Sequence, residues 1–259
     1  MPVTLNYLDT GGEGIPLVVV HGLFGSADNW RSHVKAWQQA RRVIAVDLRN
    51  HGRSPHAEGM GYDAMAEDVI ALLDRLEVPR AHLLGHSMGG KVVISLARLA
   101  PEWVASLIVA DIAPRAYGHD HDTVFAGLRH LEAGEPANRR EADDLLGEHV
   151  KERAVRLFLA TNLERAEAGG LRLRLGLDPI QSDYETIMGP PAGEGSYGGP
   201  TLVLRGARSH YVTDEMLPAL REVLPEAEIE TLDAGHWLHA EQPDAFREAV
   251  ERFLAGLAE

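Results

Sequence analysis

Short unbroken apolar runs and longer amphipathic stretches alternate along this chain. Leu17-Val18-Val19-Val20, Val43-Ile44-Ala45-Val46, Ala81-His82-Leu83-Leu84 and Leu107-Ile108-Val109-Ala110 show no polar alternation. That pattern belongs to strands covered on both faces. Between them, Tyr62 to Leu76 sets Ala66, Val69, Ile70, Leu73 and Leu76 at helical spacing, and Ser87 to Ala100 forms a second apolar helix that Pro101 stops. The alternation predicts an α/β fold with a mostly parallel central sheet and helices on both faces. Val3 to Leu8, followed by the Gly-rich turn Asp9 to Gly14, predicts an antiparallel hairpin at the sheet edge.

After Ala113 the character changes. Asp122 to Glu132, Glu141 to Lys151 and Glu152 to Leu163 read as charged amphipathic helices, with no central strand among them. The Gly- and Pro-rich stretch Gly189 to Pro200 then reads as a loop. Beyond it the α/β pattern resumes with a Thr201 to Leu204 strand, a Thr213 to Leu224 helix, an Ile229 to Leu232 strand and a final helix from Glu241 to Ala258. The reading is therefore one core domain, 1–112 with 200–259, interrupted by a helical cap over 113–199.

Composition narrows the chemistry by exclusion. The 259 residues contain no cysteine, so disulfides, thiolate metal sites and a thiol nucleophile are ruled out. A net charge of −14, with no basic run longer than Arg41-Arg42 or Arg139-Arg140, argues against nucleic acid as a partner. The acidic excess itself reads as a solvated surface. The longest uncharged stretch, Gly14 to Ala27, is broken by Gly, Pro and His and does not span a bilayer. The first residues lack a basic start and an apolar segment, which predicts a cytoplasmic protein.

Gly85-His86-Ser87-Met88-Gly89 fits G-x-S-x-G between a predicted strand and a predicted helix, the context a nucleophile elbow requires. The alternative is a tight turn with a helix-capping Ser. A serine hydroxyl attacks only when a base takes its proton. Among 13 histidines, His236 in Ala234-Gly235-His236-Trp237 follows the last strand and reaches the same sheet edge, whereas His239 already leads away from it. The imidazole needs a carboxylate. Asp111 ends the strand after the elbow helix, and the segment Arg205 to Tyr211 has no acid; Asp178 and Asp214 remain rivals. Two N–H donors are needed for an oxyanion: Met88, after the nucleophile, and Leu23, in the loop His21 to Ser26.

Phe24, Phe125, Phe158, Tyr184, Tyr211 and Trp237, with Trp30, are candidates for a substrate pocket, against the alternative of core packing. Asp47 to Ser54 reads as a structural turn beside the site. His119-Asp120-His121-Asp122 has ligand types but no evident third ligand and reads as the start of a cap helix, so no metal site is expected.

Taken together, HGLFGSADNW (21–30), DLRNHGRSPH (47–56), GHSMGGK (85–91), DIAP (111–114) and AGHWLHAEQPD (234–244) resemble the α/β-hydrolase superfamily. Within it, they are similar to the YbfF-type serine esterases and the eukaryotic α/β-hydrolase-domain acyl hydrolases. The resemblance implies a cofactor-free esterase or thioesterase, monomeric or homodimeric, acting on a small-molecule ester or thioester. It implies Ser87 as nucleophile, His236 as base and Asp111 as acid. A C–C bond hydrolase, a perhydrolase or a non-catalytic binding protein on the same fold are the alternatives. Superfamily members with an Asp nucleophile are disfavoured because the elbow carries Ser.

Overall fold

The computed structural model describes residues 1–257. Seven strands form the central sheet: β1 (Tyr7–Asp9), β2 (Leu17–Val20), β3 (Val43–Val46), β4 (Ala81–His86), β5 (Val104–Ala110), β8 (Thr201–Gly206) and β9 (Ala227–Leu232). Two further strands, β6 (Leu163–Arg165) and β7 (Leu171–Leu173), make a separate hairpin. The sheet order is β1-β3-β2-β4-β5-β8-β9, parallel throughout except for β1.

The unbroken apolar runs have a direct physical cause. Successive side chains point to opposite faces, and both faces are covered. Val18 and Val20 of β2, Ile44 and Val46 of β3, and Leu107 and Val109 of β5 enter one core with helices Tyr62–Arg75 and Met88–Leu99. Leu17, Val19, Val43, Ala45, Ile108 and Ala110 enter the other, against Trp30, Trp37, Phe246 and Val250 on helices Arg31–Trp37 and Pro243–Ala255 and the turn before them.

Chain order creates the crevice in which the site lies. From β2 the chain moves to β3 on one side, then returns to place β4 on the other side of β2. The carboxyl ends of β2 and β4 therefore diverge at a topological switch point. Their register sets Val20 opposite Gly85, so the loop after β2 meets the turn after β4.

Three expectations change. The N-terminal strand is antiparallel at the sheet edge, but it does not form a hairpin with its successor. It pairs with β3, Tyr7 opposite Val46, because β2 is already flanked by β3 and β4. The final helix, expected from Glu241, runs over Pro243–Ala255, and Glu241 instead ends a separate short helix, Leu238–Glu241. Pro243 forces Gln242 out of helical geometry, to φ −130° and ψ 61°; Ala258, included in the expected helix, lies outside the described residues. Between β5 and β8 lie helices Asp122–Gly134, Arg139–Gly147, Arg153–Leu159, Leu177–Ser182 and Tyr184–Met188, but also the β6–β7 hairpin, too short to show a strand pattern in the sequence. Arg139–Gly147 starts where Asn138 accepts hydrogen bonds from the N–H groups of Arg140 and Glu141.

One buried ion pair ties the loop after β3 to the sheet-covering helix. Arg49 donates to both carboxylate oxygens of Asp68 at 2.7 and 2.8 Å, and Asp68 also accepts the Val3 N–H. Both side chains are buried. Removing one partner leaves an uncompensated buried charge, so Asp68→Ala is expected to cost about 3–5 kcal/mol in urea unfolding. A loss below about 1 kcal/mol, the range of an exposed pair, would contradict this account.

Candidate active site

Ser87 sits between β4 and the following helix with φ 54° and ψ −119°, a strained conformation for a non-glycine residue. Two glycines make that turn possible. A Cβ on Gly85 would lie 2.2 Å from the Gly89 carbonyl oxygen, and one on Gly89 would lie 2.4 Å from the carbonyl oxygens of Val20 and His21. The elbow is thus pressed onto both its own helix and the end of β2.

Ser87 Oγ donates to His236 Nε2 at 3.0 Å, and His236 Nδ1 donates to Asp111 Oδ2 at 2.7 Å. These three residues come from the ends of β4, β9 and β5, far apart in sequence and adjacent at one sheet edge. Asp111 is fully buried at φ 53°. Its Oδ1 accepts the Gly206 N–H at 2.9 Å, and its Oδ2 also accepts the Ser209 hydroxyl. Neither rival acid comes near the imidazole: Asp178 is exposed and pairs with Arg129, and Asp214 is exposed and pairs with Arg205. Ser209 lies in the acid-free segment after β8, and no spacing in the sequence pointed to it.

Two further contacts hold His236. Its carbonyl accepts from His86 Nε2 at 2.8 Å, and the Tyr211 ring stacks on its imidazole at 3.9 Å and 21°. Tyr211 is tied in turn through its carbonyl to the Tyr117 hydroxyl, which also accepts the Ala113 N–H. Burial drives the titration of His86 well below the ordinary histidine range and that of His239 down to about 3. His239 instead stacks on Trp30 at 4.5 Å in the second core. His236 keeps part of its side chain exposed.

Two more buried histidines fix the loop that carries Leu23. His21 Nε2 accepts the Leu48 N–H at 3.0 Å, so its proton is on Nδ1, which donates to the Gly22 carbonyl at 2.8 Å. His51 Nε2 accepts the Phe24 N–H at 3.1 Å, and its Nδ1 donates to the Arg49 carbonyl at 2.9 Å. Burial lowers both titrations, that of His51 to about 3, which keeps the rings neutral and their tautomers fixed. Asp47 accepts the Ala27 N–H at 2.8 Å and the Arg53 N–H at 2.9 Å, completing the brace between loops 21–27 and 47–54. A Cβ at Gly22 would meet Ser87 Cβ at 3.3 Å, so glycine permits the loop's close approach. Leu23 lines the cavity beside Ser87. So does Met88, whose N–H is among the first-turn donors that have no acceptor within their own helix.

A cavity of about 310 Å³ opens over Ser87 and His236. Phe24, Phe158, Tyr211, Trp237 and Trp30 line it, together with Val124, Val155, Leu159, Ile187 and Met188, which the sequence did not single out. Phe125 and Tyr184 are not on this wall. Phe125 packs edge-on behind Phe24 at 5.4 Å and against Tyr184 at 5.1 Å, so these two rings support the lining from one layer back. His121 Nδ1 bonds to the Tyr184 hydroxyl at 2.5 Å and the His119 ring packs edge-on against the Tyr184 ring at 5.0 Å.

Lys91, one turn beyond Ser87, was also missed. It is buried on the cavity wall, with no carboxylate partner among the described residues. Its ammonium donates to the carbonyls of Ile187, Met188 and Gly189 at 3.4, 3.3 and 2.6 Å and lies near the Tyr62 and Tyr117 rings. This side chain joins the elbow helix to the segment carrying Ile187 and Met188.

A family model for the alpha/beta hydrolase fold matches residues 15–243. The chain is 40% identical to "sn-1-specific diacylglycerol lipase ABHD11" of Danio rerio, covering 98% of this chain and 83% of that one. It is 35% identical to "Esterase YbfF" of Escherichia coli, covering 92% of each. Among solved structures, one described as a marine microorganism esterase superposes with a TM-score of 0.93 at 36% identity, covering 97% of this chain and 99% of the other.

Burial lowers the Lys91 titration from 10.5 to about 7. Between those values the unfolded chain holds a proton that the folded chain has released, so this residue's contribution to stability rises above pH 7 and is lost as pH falls through 7. Lys91→Met removes that dependence. The unfolding free energy of wild type minus that of the variant is expected to rise between pH 7 and pH 9, by at most about 1.4 kcal/mol per pH unit. Urea melts at the two pH values measure it, and a difference independent of pH would contradict the assignment.

Proposed function

From the premise that this chain belongs to the α/β-hydrolase fold family, as a hydrolase of the esterase and lipase type, we propose that it cleaves carboxylic esters or acyl thioesters through a covalent acyl-enzyme. The observation that carries this reading is the continuous hydrogen-bonded line from Ser87 Oγ through His236 to buried Asp111. Asp111 holds the Nδ1 proton and leaves the Nε2 lone pair facing Ser87. Ser87 Oγ then attacks the acyl carbon while its proton passes to His236 Nε2, and Asp111 stabilises the imidazolium. The N–H groups of Leu23 and Met88 take the negative charge on the former carbonyl oxygen, a contribution of about 3 kcal/mol for each donor.

When the tetrahedral intermediate collapses, the bond to the alcohol or thiol breaks and His236 returns the proton to that leaving group. A water molecule gives a proton to His236, attacks the acyl carbon, and the acid departs as Ser87 Oγ regains its proton. The cavity lining of Leu23, Phe24, Val124, Val155, Phe158, Ile187 and Met188 suits an apolar acyl chain. The division into a core of 1–112 with 200–259 and a cap of 113–199 fits this arrangement, since the cap supplies Val124, Val155, Phe158, Ile187 and Met188 of the wall and the core supplies the reacting groups with Leu23 and Phe24. The names of the relatives, an esterase and a diacylglycerol lipase, agree with acyl ester substrates.

Ser87→Ala is expected to retain its fold and lose at least about a thousandfold in the hydrolysis of an activated short-chain ester, and Asp111→Asn about a thousand- to ten-thousandfold in kcat. Asp178→Asn is expected to lose less than about tenfold. A mild Asp111→Asn with a crippled Asp178→Asn would move the acid into the cap. For the cavity, Val124→Trp is expected to shift preference from long to short acyl chains while acetyl ester turnover stays within about tenfold of wild type. An unchanged chain-length ranking, measured on a series of p-nitrophenyl esters, would remove the cap from the acyl site.

A further inference from the structure

His130, Glu148 and His149 gather two imidazoles and a carboxylate at a place that is not part of the Ser87 cavity. His130 comes from helix Asp122–Gly134, and Glu148 and His149 from the turn that ends helix Arg139–Gly147. The backbone beneath them is firmly packed. Gly127, one turn before His130, lets the 148–150 turn come close, since a Cβ there would lie 3.2 Å from Val150 Cγ2 and 3.5 Å from His149 Cβ. Leu128, Leu131, Leu146 and Val150 are buried at the same junction.

The donor atoms of the three side chains all lie within 4.8 Å of one another. His130 Nδ1 is 3.6 Å from Glu148 Oε2, too far for a hydrogen bond. It is close to the separation of about 3.4 Å between two ligands on a tetrahedral zinc ion with bonds of about 2.0–2.1 Å. The same nitrogen is buried and has no hydrogen-bond partner, an unmet valence that a cation would satisfy. Glu148 is exposed and free to rotate, and the donor atoms, spread over up to 4.8 Å, close onto one ion by side-chain movements of up to about 1.4 Å.

We propose that His130, Glu148 and His149 bind one zinc ion, with water as the fourth ligand, joining the helix to the turn in the cap. Two imidazole nitrogens and one carboxylate oxygen suit zinc better than the oxygen-seeking calcium or magnesium. The ion would tie the helix to the turn, and the hydrolytic reaction does not pass through it, since none of the three ligands lines the Ser87 cavity.

Tag-free protein stripped with chelator and titrated with zinc chloride by calorimetry tests this, with thermal melts and ester turnover measured on the same samples. The expected result is one zinc per chain, a melting temperature that rises with zinc, and affinity reduced at least about tenfold in His130→Gln, His149→Gln and Glu148→Gln, with turnover by metal-free protein unchanged. Circular dichroism of the metal-free variants checks their folding, and the exposed Glu148→Gln carries the test if a histidine variant unfolds. No saturable binding up to about 1 mM zinc, or wild-type affinity retained in Glu148→Gln and in His149→Gln, would overturn the proposal.

Discussion

The constraint on which the rest of this structure depends is that one imidazole must be held between a carboxylate and a hydroxyl supplied by different strands. His236 Nδ1 reaches Asp111 at 2.7 Å and its Nε2 reaches Ser87 at 3.0 Å. A hydrogen-bonded line of this kind tolerates little displacement, because bonds weaken steeply as distance and angle depart from their optima. The parallel sheet provides the common edge. Both Ser87 and Asp111 adopt positive φ so that their side chains leave the strand ends toward the crevice, and close glycine contacts at 85 and 89 fix the first of these turns.

Around that line the protein uses histidine mainly as a neutral brace. His21, His51 and His86 are buried, and desolvation keeps each uncharged; in His21 and His51 one nitrogen accepts and the other donates in a defined tautomer, and His86 Nε2 donates to the His236 carbonyl. A charged imidazole at His21 or His51 would lose its accepting nitrogen and release the Leu48 or Phe24 N–H. His236 differs in retaining solvent exposure and in facing a carboxylate. The 13 histidines of the sequence therefore divide by environment rather than by residue type.

What the sequence revealed and concealed follows from the range of each interaction. Strand cores and elbow were legible because burial on two faces and a strand–turn–helix context leave local patterns, as in Leu17 to Val20 and Gly85 to Gly89. Asp111 was legible by its place at a strand end and by the absence of an acid in Arg205 to Tyr211. Ser209 was not, since a loop serine carries no periodicity and its hydroxyl meets Asp111 only through tertiary folding. Lys91 was hidden for a similar reason: its partners are backbone carbonyls nearly a hundred residues away. Aromatic type alone did not separate Phe158, on the cavity wall, from Phe125, one layer behind it. The partner of β1 depended on which edge the later strands left open.

The central claim is that Ser87 becomes covalently acylated because His236 removes its proton. Intact-mass and peptide mass spectrometry after exposure to a fluorophosphonate test it most directly, since this probe reacts with a serine only when the hydroxyl is activated. The account predicts one adduct per chain, located on Ser87, and its disappearance in His236→Gln. An unlabelled wild type, or an adduct located on another residue, would contradict it.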